Sequence, residues 1–168
     1  MTRIWKLLGL AAALAVAACA SVQQLDAAGD VHALLIAIRD DDQPAFDAHV
    51  DRPALQREIE AKVMARVQKR DPTHGLAALL GPAIAQIAGD NLIQPAVFRM
   101  VAEQYGYGAD TKIPPSIALA TVLKELPDGR VCTIRKKTGA CQLVFTKEDG
   151  GWKLTSFEGD TTDLRLKG

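Results

Sequence analysis

Leu143-Val144-Phe145-Thr146-Lys147-Glu148-Asp149-Gly150-Gly151-Trp152-Lys153-Leu154 is the stretch that decides the fold. Apolar and polar residues alternate on both sides of Asp149-Gly150, the dipeptide that fits the positive backbone angles of a two-residue hairpin turn. Pairing about that turn sets Phe145 opposite Leu154 and Lys147 opposite Trp152. Working outward, Thr138-Gly139 is a second turn signal and Pro127-Asp128-Gly129 a third. Between the turns lie Ile117–Leu126, Arg130–Lys136, Ala140–Lys147 and Gly151–Glu158, read as an antiparallel meander of three to four strands. Ile117–Leu126 is the ambiguous member, because Ser116 could cap it as a helix. The turn that follows favours a strand.

Upstream of Pro114-Pro115 the period is helical. Asp30 is a suitable N-cap, and Val31, Leu34, Leu35 and Ile38 follow on one face. Asp40-Asp41-Asp42 ends that helix, and Asp42 can cap a short one with Pro44 in its first turn. Asp51 caps a longer helix, in which Leu55, Ile59, Val63 and Val67 form an apolar stripe with Glu58 and Lys62 paired outside it. Asp71-Pro72 stops it. Gly75–Ile93 is apolar and Ala-rich, with Pro82 starting or kinking its helix. Pro95 opens another, closed by Gly106 and Gly108. Helices first and sheet last give an α+β domain, with the helices covering the apolar face of the sheet.

The first residues have a different character. Arg3 and Lys6 precede an apolar run, Leu7–Ala18, of twelve residues. A bilayer core needs about 20 helical residues, so the run is too short to span and reads as a secretory signal. It ends Val16-Ala17-Ala18-Cys19, which resembles the lipobox of bacterial lipoproteins. That resemblance implies cleavage before Cys19, diacylglycerol on its sulfur and acylation of the new amino group. Several acyl chains together make a stable anchor where one does not. By resemblance to enterobacterial sorting, Ala20, where Asp would favour the inner membrane, favours the outer membrane, facing the periplasm. The chain thus divides into a signal peptide (1–18), a tether (19–29) and one domain (30–168). No cofactor is expected.

Composition limits the partners. The chain carries 20 bases and 20 acids, and a signal with two bases and no acids would leave a net of −2. No basic surplus exists to hold a nucleic acid. With Cys19 acylated, Cys132 and Cys141 remain as a pair, which an oxidising compartment would join; the rival reading is two free thiols or a metal site lacking its other ligands. A two-residue turn at Lys136-Lys137 would set them opposite. A four-residue turn ending at Gly139 would set them diagonal, near the limit of disulfide reach.

Asp40–Arg57, with Val50-Asp51-Arg52-Pro53-Ala54-Leu55-Gln56-Arg57 at its end, resembles an uncharacterised bacterial family, the domain of unknown function numbered two-nine-three-nine. Its members show a Val-Asp-aromatic-Pro-Ala-Leu-Arg stretch behind an N-terminal membrane segment. They have an apolar middle with an apolar-Pro start near residues 92–98, and an end similar to Leu143–Leu154. The resemblance covers roughly residues 30–158. Arg52 stands where the family has an aromatic residue, and Gln56 where it often has Arg. The family implies no activity, so no functional residue is carried over. The element order is also similar to the cone-shaped fold of nuclear-transport-factor-like domains, an analogy of fold alone.

Catalytic and metal signatures are weak. His32, His49 and His74 share no ligand spacing with each other or with a Cys. Ser116 and Ser156 sit in no Gly-x-Ser-x-Gly elbow. Asp40-Asp41-Asp42 lacks the Gly and distal Glu of a calcium loop. Arg130, Arg135, Lys136 and Lys137 read as a solvated hairpin tip, Phe145 and Trp152 as core. Tyr105-Gly106-Tyr107-Gly108 reads as a glycine-rich helix end. These features favour a non-catalytic, lipid-anchored envelope protein that binds or assembles with a protein partner. The alternatives are a small apolar ligand in a pocket between sheet and helices, or a hydrolase or isomerase pairing a carboxylate with a His there.

Overall fold

A computed structural model of the chain describes residues 22–70, 91–104, 106–134 and 139–157. The expected signal peptide, Cys19, Asp71-Pro72, His74, Pro82, Tyr105 and the tip residues 135–138 lie outside the described residues.

Helix α1 covers residues 22–40, which corrects the expected boundary at Asp30. Most of the expected tether is helical, and Ala27 and Ala28 are completely buried. The reason is legible afterwards. Alanine is the strongest helix former, and Ala27 extends the Val31, Leu34 stripe back by one turn. Asp30 is therefore inside the helix and caps nothing. The acidic run behaves as punctuation. Asp41 takes a left-handed φ of 57°, and Asp42 N–H bonds back to the Ala37 carbonyl at 2.9 Å, closing α1 in the manner of a Schellman cap. The Asp42 carboxylate then caps α2 (Gln43–Ala48) by accepting from Ala45 N–H.

Helix α3 spans Arg52–Arg70. Asp51 caps it at 3.0 Å from Ala54 N, and Leu55 and Ile59 are buried as expected, with Val63 packed beside them. Helix α4 runs Pro95–Gln104. Gly106 ends it at φ +86°, with its N–H and that of Tyr107 returning to Glu103 and Ala102.

Ile117–Leu126 is neither one strand nor one helix. It divides into α5 (Ser116–Ala120), capped by the extended backbone of Pro115 and not by the Ser116 side chain, and β1 (Leu123–Glu125). Leu119 of α5 and Leu123 of β1 are both buried across the turn between them, whereas Ile117, two residues before Leu119, is left exposed. The remaining strands are β2 (Val131–Ile134), β3 (Cys141–Glu148) and β4 (Gly151–Phe157). They form an open antiparallel sheet in the order β1-β2-β3-β4. Asp149 and Gly150 both have positive φ, 51° and 88°, as the two-residue hairpin requires. Phe145 faces Leu154 and Lys147 faces Trp152, as the sequence predicts.

The core lies between the sheet and the helices. Trp152, Phe46, Phe145, Leu55, Ile93 and Leu154 are its largest fully buried side chains. Phe46 of α2 meets Phe98 of α4 edge-on, with ring centroids 5.3 Å apart.

Candidate functional site

Helix α1 lies between two features that a functional site would draw on: an apolar cavity on one side and a polar clamp on the other. The cavity holds about 100 Å³ and is walled by Val31, Leu34 and Ile38 of α1, Phe98 of α4, and Phe145 and Leu154 of the sheet, among others. Thr133 is the one polar residue among those that line it. Pockets for ordinary small ligands run from about 300 Å³, so this one has room for a few heavy atoms only.

The clamp is built from two acids one helical turn apart. Asp26 accepts from Trp152 Nε1 at 3.0 Å and from Lys147 Nζ at 2.7 Å. Asp30 accepts from Trp152 N–H at 2.7 Å, and its other oxygen lies 3.6 Å from His49 Nδ1. The Lys147 ammonium, followed by the Trp152 indole N–H, holds the Asp26 carboxyl below its ordinary pKa. Both acids fall in the stretch read as tether and cap. Their i, i+4 spacing beside the extended Ala27, Val31, Leu34 stripe was the signal that could have placed them on a helix.

Beyond the clamp, β4 is gripped again. His49 O accepts from Leu154 N–H at 2.9 Å, and Asp51 N–H donates to Leu154 O at 3.0 Å. Val50 thus forms a parallel bridge to Leu154, covering part of a free sheet edge. The Glu58–Lys62 pair forms at 2.9 Å as expected, and it also takes the end of β4. Glu58 accepts from Phe157 N–H at 3.0 Å. Lys62 bonds the Phe157 carbonyl and lies 4.0 Å from the centre of its ring.

The expected site residues are scattered. His32, two residues after Asp30, takes no part in the Asp30–His49 contact and donates to the Pro114 carbonyl at 2.9 Å. His49 does stand beside an acid, the minimum a carboxylate–His enzyme would need, but neither residue belongs to the cavity wall. Ser116 starts a short helix and Ser156 is paired with Val144 on the sheet. Arg130 is bound to Asp128 of its own turn at 2.7 Å. Tyr107 is exposed and Trp152 and Phe145 are core. Among the described residues no group of His, Cys, Asp and Glu could hold a metal ion.

Cys132 and Cys141 are joined, with Cα atoms 5.5 Å apart. They are not cross-strand partners. Cys141 pairs with Ile134 and Cys132 with Val144, and the register slips between the two pairs. The diagonal arrangement holds, and a bulge on β3 brings it within the usual Cα separation.

These elements define a small α+β domain in which helices clasp one hairpin of a four-stranded sheet. The chain belongs to the family described as "Protein of unknown function (DUF2939)", which it matches over residues 7–102. No curated protein and no solved structure matches the chain. The match ends in α4, so the likeness expected for Leu143–Leu154 is not part of it. Five positions of the expected family stretch have a structural role. Val50 bridges β4, Asp51 caps α3, Pro53 sits in its first turn and Leu55 is buried at 1% exposure. Arg52, in the position of the family's aromatic residue, pairs with Asp47 at 2.7 Å.

Proposed function

We propose that this is a lipid-anchored envelope protein, exported, cut before Cys19 and held by acyl chains on that cysteine at the periplasmic face of the outer membrane. Its domain acts there by binding or assembly. The carrying observation is Val16-Ala17-Ala18-Cys19 directly behind the apolar run Leu7–Ala18. The Cys132–Cys141 bridge supports export, since disulfides persist in oxidising compartments. The Asp30–His49 pair argues for a structural use, because Asp30 is also bound to Trp152 N–H. Among the described residues, no helix is long and apolar enough to cross a membrane, which is compatible with attachment through lipid.

Mass spectrometry of the mature N-terminal peptide tests the reading. The expected peptide begins at Cys19 and carries the mass of a diacylglycerol and an acyl chain. Cys19→Ala should leave an uncut precursor. An unmodified cysteine, or a cut at another bond, sinks the anchor. Density separation of inner and outer membranes decides the sorting.

A further inference from the structure

The folded domain begins close to the proposed lipid. Residues 22–40 are one helix, so two residues, Ala20 and Ser21, separate Val22 from Cys19, a span of three Cα–Cα steps. A chain of that length reaches about 11 Å when fully extended. The headgroup layer is itself roughly 5–8 Å deep on each side of a bilayer. An eleven-residue tether would reach more than three times as far.

The described residues also fix what surrounds that point. Gln23 Nε2 donates to the Gly129 carbonyl at 2.6 Å, which puts the β1–β2 turn beside the start of α1. Asp26 binds Lys147 at 2.7 Å, which brings the β3–β4 tip to the same end. Val22 and Leu25, one turn apart on α1, expose 69% and 47% of their surface there. The neighbouring charges are largely matched among themselves, Asp128 with Arg130, Asp26 with Lys147, and Lys153 with Glu148 and Asp149.

We propose that this end of the domain is a membrane-docking surface: the start of α1 and the two flanking turns rest on the lipid bilayer, with Val22 and Leu25 at headgroup level and α1 standing away from it. The partner is the lipid surface that carries the anchor, and the inference rests on acylation of Cys19. Burial of two apolar side chains at the interface adds to the covalent anchor. The geometry carries Asp40, at the other end of α1, about 27 Å from Val22. The opposite end of the domain is thereby turned toward the periplasm.

The test uses the acylated protein in vesicles of phosphatidylethanolamine and phosphatidylglycerol containing a headgroup-nitroxide lipid. A thiol-reactive fluorophore is placed at Leu25→Cys, Pro127→Cys or Asp40→Cys in separate proteins. The acylated Cys19 and the closed disulfide leave one reactive thiol in each. Quenching several-fold stronger at positions 25 and 127 than at 40 is the expected result. The two near positions lie on different elements, so a disturbed turn at Pro127 leaves Leu25 to report. Equal quenching near and far, on protein whose N-terminal peptide carries lipid, overturns the docking surface alone. A peptide mass showing a bare Cys19 overturns the anchor and the surface together.

Discussion

The two halves of the sheet are held by different means. β2 and β3 are joined by a covalent bridge across an irregular register. β4 has no cysteine, yet it receives side chains from α1 and α3 and a backbone bridge from the segment between α2 and α3. The helices that grip β4 are those within the family match. The difference teaches where each hairpin finds its stability. A short paired strand with little helical support is fixed by shrinking the unfolded ensemble. A strand held by two helices and the segment between α2 and α3 is fixed by burial and by bonds to backbone groups that an edge would otherwise leave open.

Trp152 is the place to break the supported half. Its ring is 1% exposed, and Trp152→Ala should cost about 3–5 kcal/mol through the cavity left behind. Urea denaturation would measure it, and a loss below about 1 kcal/mol would mean that the clamp, not the burial, fixes β4.

Reducing the Cys132–Cys141 bridge should break the other half. The closed loop is short, with a sequence separation of 9, so the expected loss is about 2–3 kcal/mol. Amide exchange gives the sharper reading. Val131–Ile134 should lose protection on reduction while Trp152 and Leu154 keep theirs. Equal losses on both strands would show that the two halves of the sheet are held alike.

Glu58→Ala removes the acceptor for Phe157 N–H and the partner of Lys62. Glu58 is 19% exposed, and hydrogen bonds to charged groups contribute about 1.5–3 kcal/mol. A fall in Tm is expected, with exchange faster at Phe157 than at Val131.

The smallest effect belongs to Asp26. Its side chain is about half exposed, so Asp26→Asn should cost less than about 1 kcal/mol at neutral pH. Its folded pKa is lowered, chiefly by Lys147. Its contribution is therefore present above the ordinary value of 3.8 and lost as pH falls through the lower folded value. Acid unfolding curves of the two proteins should converge toward low pH. Curves that stay parallel throughout would remove Asp26 from the clamp.

Much of this comparison was legible in the chain. Asp149-Gly150 fixes the last hairpin and its register, because two positive φ angles admit few other residues. Asp42 and Asp51 announce the starts of α2 and α3 through local bonds to their own N–H groups. The family stretch Val50–Leu55 could be recognised, though not the bridge that Val50 makes. Asp26 and Asp30 were illegible as a clamp, since their partners Lys147 and Trp152 lie more than 115 residues away. Ile117–Leu126 was legible only as a turn-bounded apolar run, because a split into one helical turn and a short strand has no period of its own.

By itself, the sequence determined the order of helices and sheet, the caps and turns, the pairing about Asp149-Gly150, and the motif that proposes a lipid on Cys19. Each depends on residues near one another along the chain, where propensity and hydrogen bonding act without help from the rest. The tertiary structure decided that α1 begins by Val22, that its acids hold the β4 side of the sheet, that Glu58 and Lys62 bind Phe157, and that the cysteines meet diagonally across a bulge. Those outcomes turn on burial and on partners brought together only by folding, and no local pattern carries them.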